Sequence, residues 1–255
     1  MKIYRIEISG TPTFAIEGDG FLIPTTSNSL ATIATGGSEQ RSERVSLNDA
    51  KLLAPLIPGK IVAVGRNYAD HAKELGNSVP SEPILFMKPP SAIIGPEMAI
   101  VRPVSSDRVD FEGELGIVIG TKARNIQASG WKEFVLGFTC VNDVTARDLQ
   151  KRDVQFTRGK SFDTFCPIGP CIATDVDPSD LKLVSRVNGD TRQDGRTSQM
   201  IFGPGALLEF ITSIMTLEEG DLILTGTPAG VGPLTAGDRV EIEIEGIGTL
   251  RNPVQ

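Results

Sequence analysis

The chain has 255 residues, of which 40% are hydrophobic and 22% charged, a composition that is ordinary for a globular protein with a sizeable core. Its 25 lysines and arginines and 32 aspartates and glutamates give a net charge of -7, without a basic stretch, which argues against nucleic acid as the main partner. The opening MKIYRIEISG lacks the apolar core of a signal peptide, and no stretch has the length of a membrane span. We therefore expect a cytoplasmic protein that does not bind a membrane.

The first quarter of the chain predicts a small β-rich unit. Lys2–Ile8 alternates between apolar and polar residues, and Phe14–Glu17 follows a turn, so the two segments predict an opening hairpin. Residues 24–44 are rich in serine, threonine, glycine and charge, and are interpreted as a small cap or a mobile segment. We expect residues 1–55 to form a small N-terminal β domain or cap, and residues 56–255 to form the main domain.

The main domain predicts many strands and few helices. The predicted strands are Lys60–Gly65, Val109–Gly120, Val135–Val141, Leu183–Asn188, Asp221–Thr225 and Arg239–Glu245, and two short apolar runs separated by prolines occur at Leu85–Met87 and Ala92–Ile94. The predicted helices are Tyr68–Leu75, capped by Asn67 and ended by Gly76, a segment from Asn142 towards Arg152, and residues 204–215. Because strands and helices do not alternate strictly, this pattern favours a β-rich α+β fold over a Rossmann fold or a (β/α)₈ barrel.

Histidine and cysteine usage limits the kind of metal site that the chain can build. His71 is the only histidine, which excludes a site made of several histidines. Cys140, Cys166 and Cys171 lack the spacing of a metal-binding pair, and we interpret them as free thiols that pack in a reducing cytosol. A bound metal must therefore be held mainly by oxygen, as Mg²⁺, Mn²⁺ or Ca²⁺ would be.

Two glutamates share one face of the predicted strand Val109–Gly120. Alternation places Glu112 and Glu114 side by side, and their charges repel unless a cation lies between them. Gly116 and Gly120 follow on the same face and predict space for a ligand above the sheet. Taken alone, such a pair is more often a solvated acidic sheet face than a metal site.

A third acid, Asp143, follows the predicted strand Val135–Val141. By itself it is equally well explained as the cap of the helix that begins there. Active sites built on sheets nevertheless collect their ligands at strand ends. The combination of Asp143 with Glu112 and Glu114 therefore predicts a divalent-metal site.

Six sequence runs identify the chain with a known family. In chain order they are GRNYADHAKE (65–74), LFMKPPSAIIG (85–95), VDFEGELGIVIG (109–120), GFTCVNDVTARDLQ (137–150), RGKSFDTFCPIGP (158–170) and LTGTPAGVG (224–232). Together they resemble the fumarylacetoacetate hydrolase family, over about residues 58 to 252, and most closely its small members. The resemblance implies a mixed β-sandwich roll with few helices and a small N-terminal appendage, and it implies a homodimer.

The family's metal ligands fall on three acids of this chain. The resemblance implies that Glu112, Glu114 and Asp143 bind Mg²⁺ or Mn²⁺, with the 1-carboxylate and 2-oxo oxygens of a small 2-oxo acid at the remaining positions. Such an ion stabilises the enolate that forms when a bond to C3 of the substrate breaks.

The resemblance also implies catalytic roles for three further side chains. His71 and Glu74 lie three residues apart on the predicted lid helix, and match a dyad that activates water. The glycines that flank this segment would let a lid close over the substrate. Lys160, in GKSFDT, matches a lysine beside the metal.

Weaker matches and geometric arguments suggest contacts to the substrate. These candidate contacts are Arg66, Tyr68, Lys88, Gln150, Gly226 and Thr227. The loop at Gly226 and Thr227 is not a P-loop, and is either a carboxylate-binding loop or a plain turn. Arg147 and Asp148 are expected to be structural partners.

The expected function is cleavage of a carbon–carbon bond in a 2-oxo or 2,4-dioxo acid, such as an acylpyruvate or fumarylpyruvate. The same site would serve an oxaloacetate decarboxylase or tautomerase, or a 2-hydroxyhepta-2,4-diene-1,7-dioate isomerase or decarboxylase. Two alternatives come from other classes. A phosphoryl-transfer enzyme would need several cations near the site, and Lys160 is the only clear one. The other alternative is a non-catalytic metal-binding protein.

Overall fold

The computed structural model describes residues 1–74 and 76–255. Its strands are β1 (Lys2–Ile8), β2 (Thr11–Gly18), β3 (Phe21–Pro24), β4 (Val45–Ser46), β5 (Ile61–Gly65), β6 (Ile84–Lys88), β7 (Ile93–Ile94), β8 (Val109–Phe111), β9 (Gly113–Ile119), β10 (Val135–Asn142), β11 (Thr145–Ala146), β12 (Cys166–Ala173), β13 (Lys182–Val187), β14 (Asp190–Arg196), β15 (Leu222–Leu224), β16 (Gly232–Pro233), β17 (Arg239–Ile244) and β18 (Gly248–Pro253). Its α-helices are α1 (Leu30–Ala34), α2 (Ala69–Glu74), α3 (Arg147–Arg152), α4 (Thr157–Lys160) and α5 (Pro204–Ile214). The β-rich α+β prediction is confirmed. No helix among the described residues is long and apolar enough to cross a membrane.

The described strands form three sheets. The largest has the order β4-β3-β2-β1-β12-β10-β9-β15-β5-β6, with β7 paired to β12. A four-stranded sheet has the order β14-β13-β17-β18, and a small third sheet has the order β11-β8-β16. Residues 1–55 join the largest sheet because β1 pairs with β12. The division into domains at residues 1–55 and 56–255 stays a prediction.

The central strand β9 is buried on both faces. Leu115 and Ile117 pack with the strands of the four-stranded sheet in the larger core cluster, while Val118 belongs to a second apolar cluster on the other side. A Cβ added at Gly116 would lie 2.6 Å from a methyl group of Val141. The expectation that this glycine leaves space for a ligand is therefore wrong, because the space is filled by the neighbouring strand.

Gly120 is constrained in the same way. Its added Cβ would lie 2.9 Å from the backbone nitrogen of Leu136. The glycines on this face allow strands to approach closely, and the expected ligand space lies instead beyond the beginning of β9.

The predicted strand Val109–Gly120 is interrupted at Glu112. There the backbone nitrogen of Glu112 donates to the side chain of Asn142 (3.0 Å), and the nitrogen of Gly113 donates to the side chain of Gln193 (3.0 Å). These side chains replace the partners that a continuous ladder would supply. The chain therefore passes from the small sheet (β8) into the largest sheet (β9), and the two glutamates lie at the crossing point.

Asn67 does not cap α2, contrary to the expectation. Its side-chain nitrogen donates to the carbonyl oxygens of Thr225 (2.8 Å) and Phe202 (3.0 Å), and its side-chain oxygen accepts from the nitrogen of Phe202 (2.8 Å). Asn67 thus ties the segment before α2 to two distant segments. The predicted helix end at Leu75 lies outside the described residues.

The expected helix after Asn142 begins later than predicted. Two residues of β11 intervene, and α3 starts at Arg147, so Asp143 is not a helix cap. Asp143 instead follows the end of β10. Since β10 is antiparallel to β9, this end lies beside the beginning of β9. The ends of β15 and β5 lie at the same edge, because β15 is antiparallel to β9 and parallel to β5. This edge of the largest sheet carries the candidate site.

Candidate active site

A cavity of about 330 Å³ opens at this edge of the sheet, and its size falls in the range of small-molecule sites. Glu112, Glu114 and Asp143 line it, and one carboxylate oxygen from each lies within 4.8 Å of the others. We call these three residues the acidic triad. All three side chains are buried, so the solvated sheet face considered from the sequence is wrong.

Glu112 is held by two cations. The Lys160 ammonium donates to one of its oxygens (2.7 Å), and the Arg147 guanidinium donates to the other (2.5 Å). Burial by itself raises the pKa of Glu112, but Lys160 and Arg147 outweigh it and hold this pKa well below its usual range. Glu112 is therefore ionised at neutral pH.

Asp143 is bracketed by two lysines. Lys88 donates to its Oδ1 (2.7 Å) and Lys160 donates to its Oδ2 (2.6 Å). The Lys88 side chain is 0% exposed, lies outside the cavity lining and also donates to the carbonyl oxygen of Val144 (3.3 Å). The structure thus places Lys88 behind the acidic triad, which does not fit the predicted contact to the distal part of a substrate.

Glu114 differs from the other two acids. Among residues 1–74 and 76–255, no cation forms an ion pair with it, and its hydrogen-bond donor is the backbone nitrogen of Gly226 (2.7 Å). Burial, with the charges of Asp143 and Glu112, raises the pKa of Glu114. The Gly226 amide, predicted to hold a substrate carboxylate, is thus committed to the acidic triad.

Tyr68 and Thr227 are placed differently from the expected substrate contacts. Tyr68 is buried outside the cavity lining, and burial together with the charge of Glu114 raises its pKa. The Thr227 hydroxyl lines the cavity but already donates to the carbonyl of Gly113 (2.8 Å) and accepts from Gln193 (2.7 Å). Its hydroxyl therefore braces the loop against β9.

His71 and Glu74 form the expected pair. Nδ1 of His71 lies 3.3 Å from Oε2 of Glu74, and the two carboxylate oxygens of Glu74 accept from the backbone nitrogen of Gly230 (3.1 Å to Oε1 and 3.2 Å to Oε2). His71 is buried and lines the same cavity as the acidic triad. A carboxylate at Nδ1 favours the tautomer with the proton on that nitrogen, so Nε2 is the basic one.

Gln150 lines the cavity with a fixed orientation. Its side-chain oxygen accepts from Arg147 (2.7 Å), so its amide NH₂ is left as a donor. Phe86, which the sequence did not single out, also lines the cavity, and its ring centroid lies 5.0 Å from the Lys160 ammonium. The aromatic face shields this lysine from water and adds a cation–π contact.

Arg147 belongs to the site, although the sequence predicted only a structural role for it. Besides contacting Glu112 and Gln150, it donates to the buried carboxylate of Asp110 (2.8 Å), so one guanidinium organises three side chains. Its spacing from Gln150, three residues along one helix, was the available signal. Asp148 has the structural role expected of it, because it accepts from Ser106 (2.5 Å) on the preceding loop.

The donor set suits a hard divalent ion. Carboxylates are ligands that Mg²⁺ and Mn²⁺ prefer, and one oxygen from each of the three acids lies within 4.8 Å of the others. Burial first, and then the charges of Asp143 and Glu112, raise the pKa of Glu114, which has no cation partner among the described residues, so a bound cation would compensate its charge. The residues present therefore fit such an ion.

The β-rich fold and its acidic cavity, with a histidine–carboxylate pair and a buried lysine, define an enzyme that acts on small molecules. Residues 60–255 match the family described as fumarylacetoacetate (FAA) hydrolase C-terminal. The chain belongs to the fumarylacetoacetate hydrolase family, as its six sequence runs predicted.

Three relatives illustrate the range of named activities. Human mitochondrial oxaloacetate tautomerase FAHD2A is 45% identical over 220 residues, which are 81% of this chain and 70% of that protein. The structure of a 2-hydroxyhepta-2,4-diene-1,7-dioate isomerase from Mycobacterium marinum matches with a TM-score of 0.90 and 46% identity, over 100% of this chain and 98% of that one. A fumarylacetoacetate hydrolase from Exiguobacterium antarcticum matches with a TM-score of 0.88 and 40% identity, over 100% and 99%.

Proposed function

We propose that this chain is a divalent-metal-dependent enzyme that cleaves the C3–C4 bond of a small 2,4-dioxo acid of the acylpyruvate or fumarylpyruvate type. The observation that carries the proposal is the geometry of one cavity. Its wall brings together three buried carboxylates, whose oxygens lie within 4.8 Å, and the side chains of His71 and Lys160. These groups provide the two requirements of the reaction, a base for water and a positive environment for an enolate.

The acidic triad and Lys160 would manage the negative charge. A bound Mg²⁺ or Mn²⁺ would supply a Lewis acid that stabilises the enolate oxygen. Lys160, buried beside two triad oxygens, adds a fixed ammonium at the same place, and its pKa is raised because Asp143 and Glu112 outweigh its burial. It therefore stays protonated and donates hydrogen bonds. The Gln150 amide would donate to a second substrate oxygen.

His71 would act as the general base. Nε2 takes a proton from water while the water oxygen adds to C4 of the substrate, and Glu74 stabilises the imidazolium that forms. The C3–C4 bond then breaks, and its electron pair enters the pyruvate enolate. The proton taken up by His71 is then passed to C3, which yields pyruvate and restores the neutral imidazole, and the released acyl group leaves as a carboxylic acid.

The second candidate is an oxaloacetate tautomerase or decarboxylase. Both reactions pass through the enolate of a 2-oxo acid, so they use the acidic triad and Lys160 in the same way. The human relative named oxaloacetate tautomerase favours this candidate. A 2-hydroxyhepta-2,4-diene-1,7-dioate isomerase or decarboxylase is supported in the same manner by the relative from Mycobacterium marinum. A purely metal-binding protein would not need the His71–Glu74 pair.

A substrate panel tests the proposal. Acetylpyruvate, fumarylpyruvate and oxaloacetate are assayed with Mg²⁺ or Mn²⁺, and again after treatment with EDTA. We expect turnover of a dioxo acid that EDTA abolishes, and full activity in EDTA would sink the metal requirement. His71→Ala should reduce acylpyruvate hydrolysis more than oxaloacetate decarboxylation, because only hydrolysis needs an activated water. Equal losses on both substrates would show that His71 is not the base that activates water.

Two further expectations, the homodimer implied by the family resemblance and the cytoplasmic location inferred from the sequence, stay predictions. Sedimentation equilibrium would test the homodimer, and imaging of the tagged chain in its own cell would test the cytoplasmic location. The human relative carries the word mitochondrial in its name, which concerns that protein alone.

A further inference from the structure

A buried glutamine of β14 connects the beginning of β9 to the loop that follows β15. Gln193 is fully buried and lies outside the cavity lining. Its side-chain oxygen accepts from the backbone nitrogen of Gly113 (3.0 Å) and from the hydroxyl of Ser185 (2.6 Å). Its side-chain nitrogen donates to the hydroxyl of Thr227 (2.7 Å) and to the carbonyl oxygen of Pro228 (2.7 Å). Both donor protons and both acceptor positions of this amide are therefore used within the protein.

The loop that Gln193 holds carries one contact to each half of the candidate site. We call residues 226–230 the anchor loop. The backbone nitrogen of its first residue donates to Glu114 of the acidic triad (2.7 Å). The backbone nitrogen of its last residue donates to Glu74, the partner of His71 (3.1 and 3.2 Å). The position of this loop therefore affects the acid side and the base side of the cavity together.

The anchor loop lies directly on β14. A Cβ added at Gly230 would overlap the carbonyl oxygen of Arg192, and a Cβ added at Gly195 would lie 2.7 Å from the side chain of Pro228. The strand thus touches the loop on both sides of Gln193. In the described part of the chain, Gln193 is also the one side chain from another element that forms hydrogen bonds with residues 227–229. Its amide therefore holds the middle of the loop.

We propose that Gln193 is a positioning residue, which fixes the tautomer of His71 through the anchor loop and Glu74. The Gln193 amide holds the loop against the beginning of β9, and the last nitrogen of the loop holds the Glu74 carboxylate. This carboxylate in turn keeps the imidazole proton on Nδ1, so that Nε2 can accept a proton. The proposal rests on the proposed function for the use of Nε2 as the base, whereas the tautomer is a property of the protein without substrate.

Nitrogen NMR of the imidazole measures this tautomer without turnover. His71 is the only histidine, so a chain labelled with ¹⁵N-histidine and prepared without a histidine tag gives one pair of ring-nitrogen signals. The spectra are recorded with excess Mg²⁺, at a pH at which the imidazole is neutral.

Two variants of Gln193 and one control are compared with the wild type. Gln193→Met keeps the length of the side chain and removes all four hydrogen bonds. Gln193→Glu keeps the acceptor for Gly113 and at most one of the two donor protons. Ser185→Ala is the matched control, because it removes a buried hydrogen bond to the same amide on the side away from the loop.

We expect the wild type and Ser185→Ala to carry the imidazole proton on Nδ1. In Gln193→Met the loop is released and Glu74 loses its fixed position, so the proton distributes over both nitrogens and the two ring shifts move towards each other. Gln193→Glu should give an intermediate shift. A purely structural role would lower the urea midpoint of Gln193→Met and of Ser185→Ala without moving the tautomer in either.

The kinetic constants provide a second readout. In acetylpyruvate hydrolysis, Gln193→Met should lower kcat at least about tenfold, because the general base loses its orientation. KM should change little, since Arg66 and Gln150, two predicted substrate contacts that line the cavity, form no hydrogen bond with Gln193. Ser185→Ala should leave both constants unchanged.

A wild type with the imidazole proton on Nε2 would overturn the proposal, as would a Gln193→Met variant that keeps the Nδ1 tautomer, or an equal shift in Ser185→Ala. If Gln193→Met does not fold, Gln193→Glu decides in the same way. The proposed reaction is judged separately. A tautomer change in Gln193→Met, with no dioxo acid cleaved by the wild type, would refute the reaction and keep the positioning role. Cleavage of acetylpyruvate by the wild type, with the tautomer unmoved in Gln193→Met, would do the reverse.

Discussion

Replacing Lys88 by methionine tests how the acidic triad is held. Lys88 has a side chain that is 0% exposed, and its ammonium lies 2.7 Å from Oδ1 of Asp143. Methionine keeps the apolar stem and removes the charge, which leaves Asp143 with half of its compensation. Removing one partner of a buried ion pair typically costs about 3–5 kcal/mol.

The structure places the expected loss at the lower end of that range. Lys160 still donates to Oδ2 of Asp143 (2.6 Å), so this carboxylate does not become an isolated buried charge. We therefore expect Lys88→Met to lower the free energy of unfolding by about 3 kcal/mol. Lys73→Met is the control, because Lys73 and its partner Asp70 are both more than 70% exposed and such pairs contribute about 0–1 kcal/mol.

Urea unfolding, followed by circular dichroism, measures both variants. A loss below about 1 kcal/mol for Lys88→Met would refute the structural role of this buried pair. If stability were unchanged while KM rose for every substrate, the substrate contact predicted from the sequence would be correct instead. A stability loss of the expected size in Lys88→Met but not in Lys73→Met supports the placement seen in the structure.

Two glycine substitutions and the reactivity of the cysteines test other features of the structure. Gly230→Ala should lower kcat for acylpyruvate hydrolysis by about tenfold or more, because its new Cβ would overlap a neighbouring carbonyl and displace the amide that anchors Glu74. Gly237→Ala is the control and should not lower kcat, because Gly237 also has a positive φ but its added Cβ would meet no atom within 4 Å. Gly116→Ala should lower the free energy of unfolding by about 1–3 kcal/mol in urea titrations, because its Cβ would lie 2.6 Å from a valine methyl group, whereas Gly130→Ala meets no atom within 4 Å. All three cysteines are buried, and burial raises the pKa of the Cys166 and Cys171 thiols to about 12. At pH 8 the folded protein should therefore react with a disulfide reagent only after urea exposes the thiols. Fast reaction of the folded chain would contradict the packed core.

Strands with clear alternation could be predicted from the sequence. The strand predicted at Arg239–Glu245 is found at Arg239–Ile244, with Val240, Ile242 and Ile244 in the core. Strands without that signal were not predicted. β12 contains two prolines and a glycine, and its pairing with β10 is interrupted by a register shift that such residues tolerate. β14 is almost wholly polar, and lies at the edge of its sheet.

The three acids of the triad could be predicted from the sequence, but the buried cations that pair with them could not all be predicted. Acid spacing and the family runs led to Glu112, Glu114 and Asp143, which meet in one cavity. The contacts of Lys88 and Arg147 depend on pairings between segments 35 to 55 residues apart along the chain, and no local pattern reports them. That Gly116 allows close approach of a neighbouring strand, and does not open space for a ligand, also depends on tertiary packing.

Calorimetric titration with Mn²⁺ tests whether the acidic triad binds a divalent metal ion. Glu114→Gln is the sharpest variant, because it removes one charge without deleting the acceptor for the Gly226 amide. Glu133→Gln is the control, an exposed acid outside the cavity lining. We expect one ion per chain in the wild type and in the control, and an affinity at least about tenfold weaker in Glu114→Gln, because one carboxylate ligand is lost. Equal Mn²⁺ affinity in the wild type and Glu114→Gln, or no binding by the wild type, would contradict it.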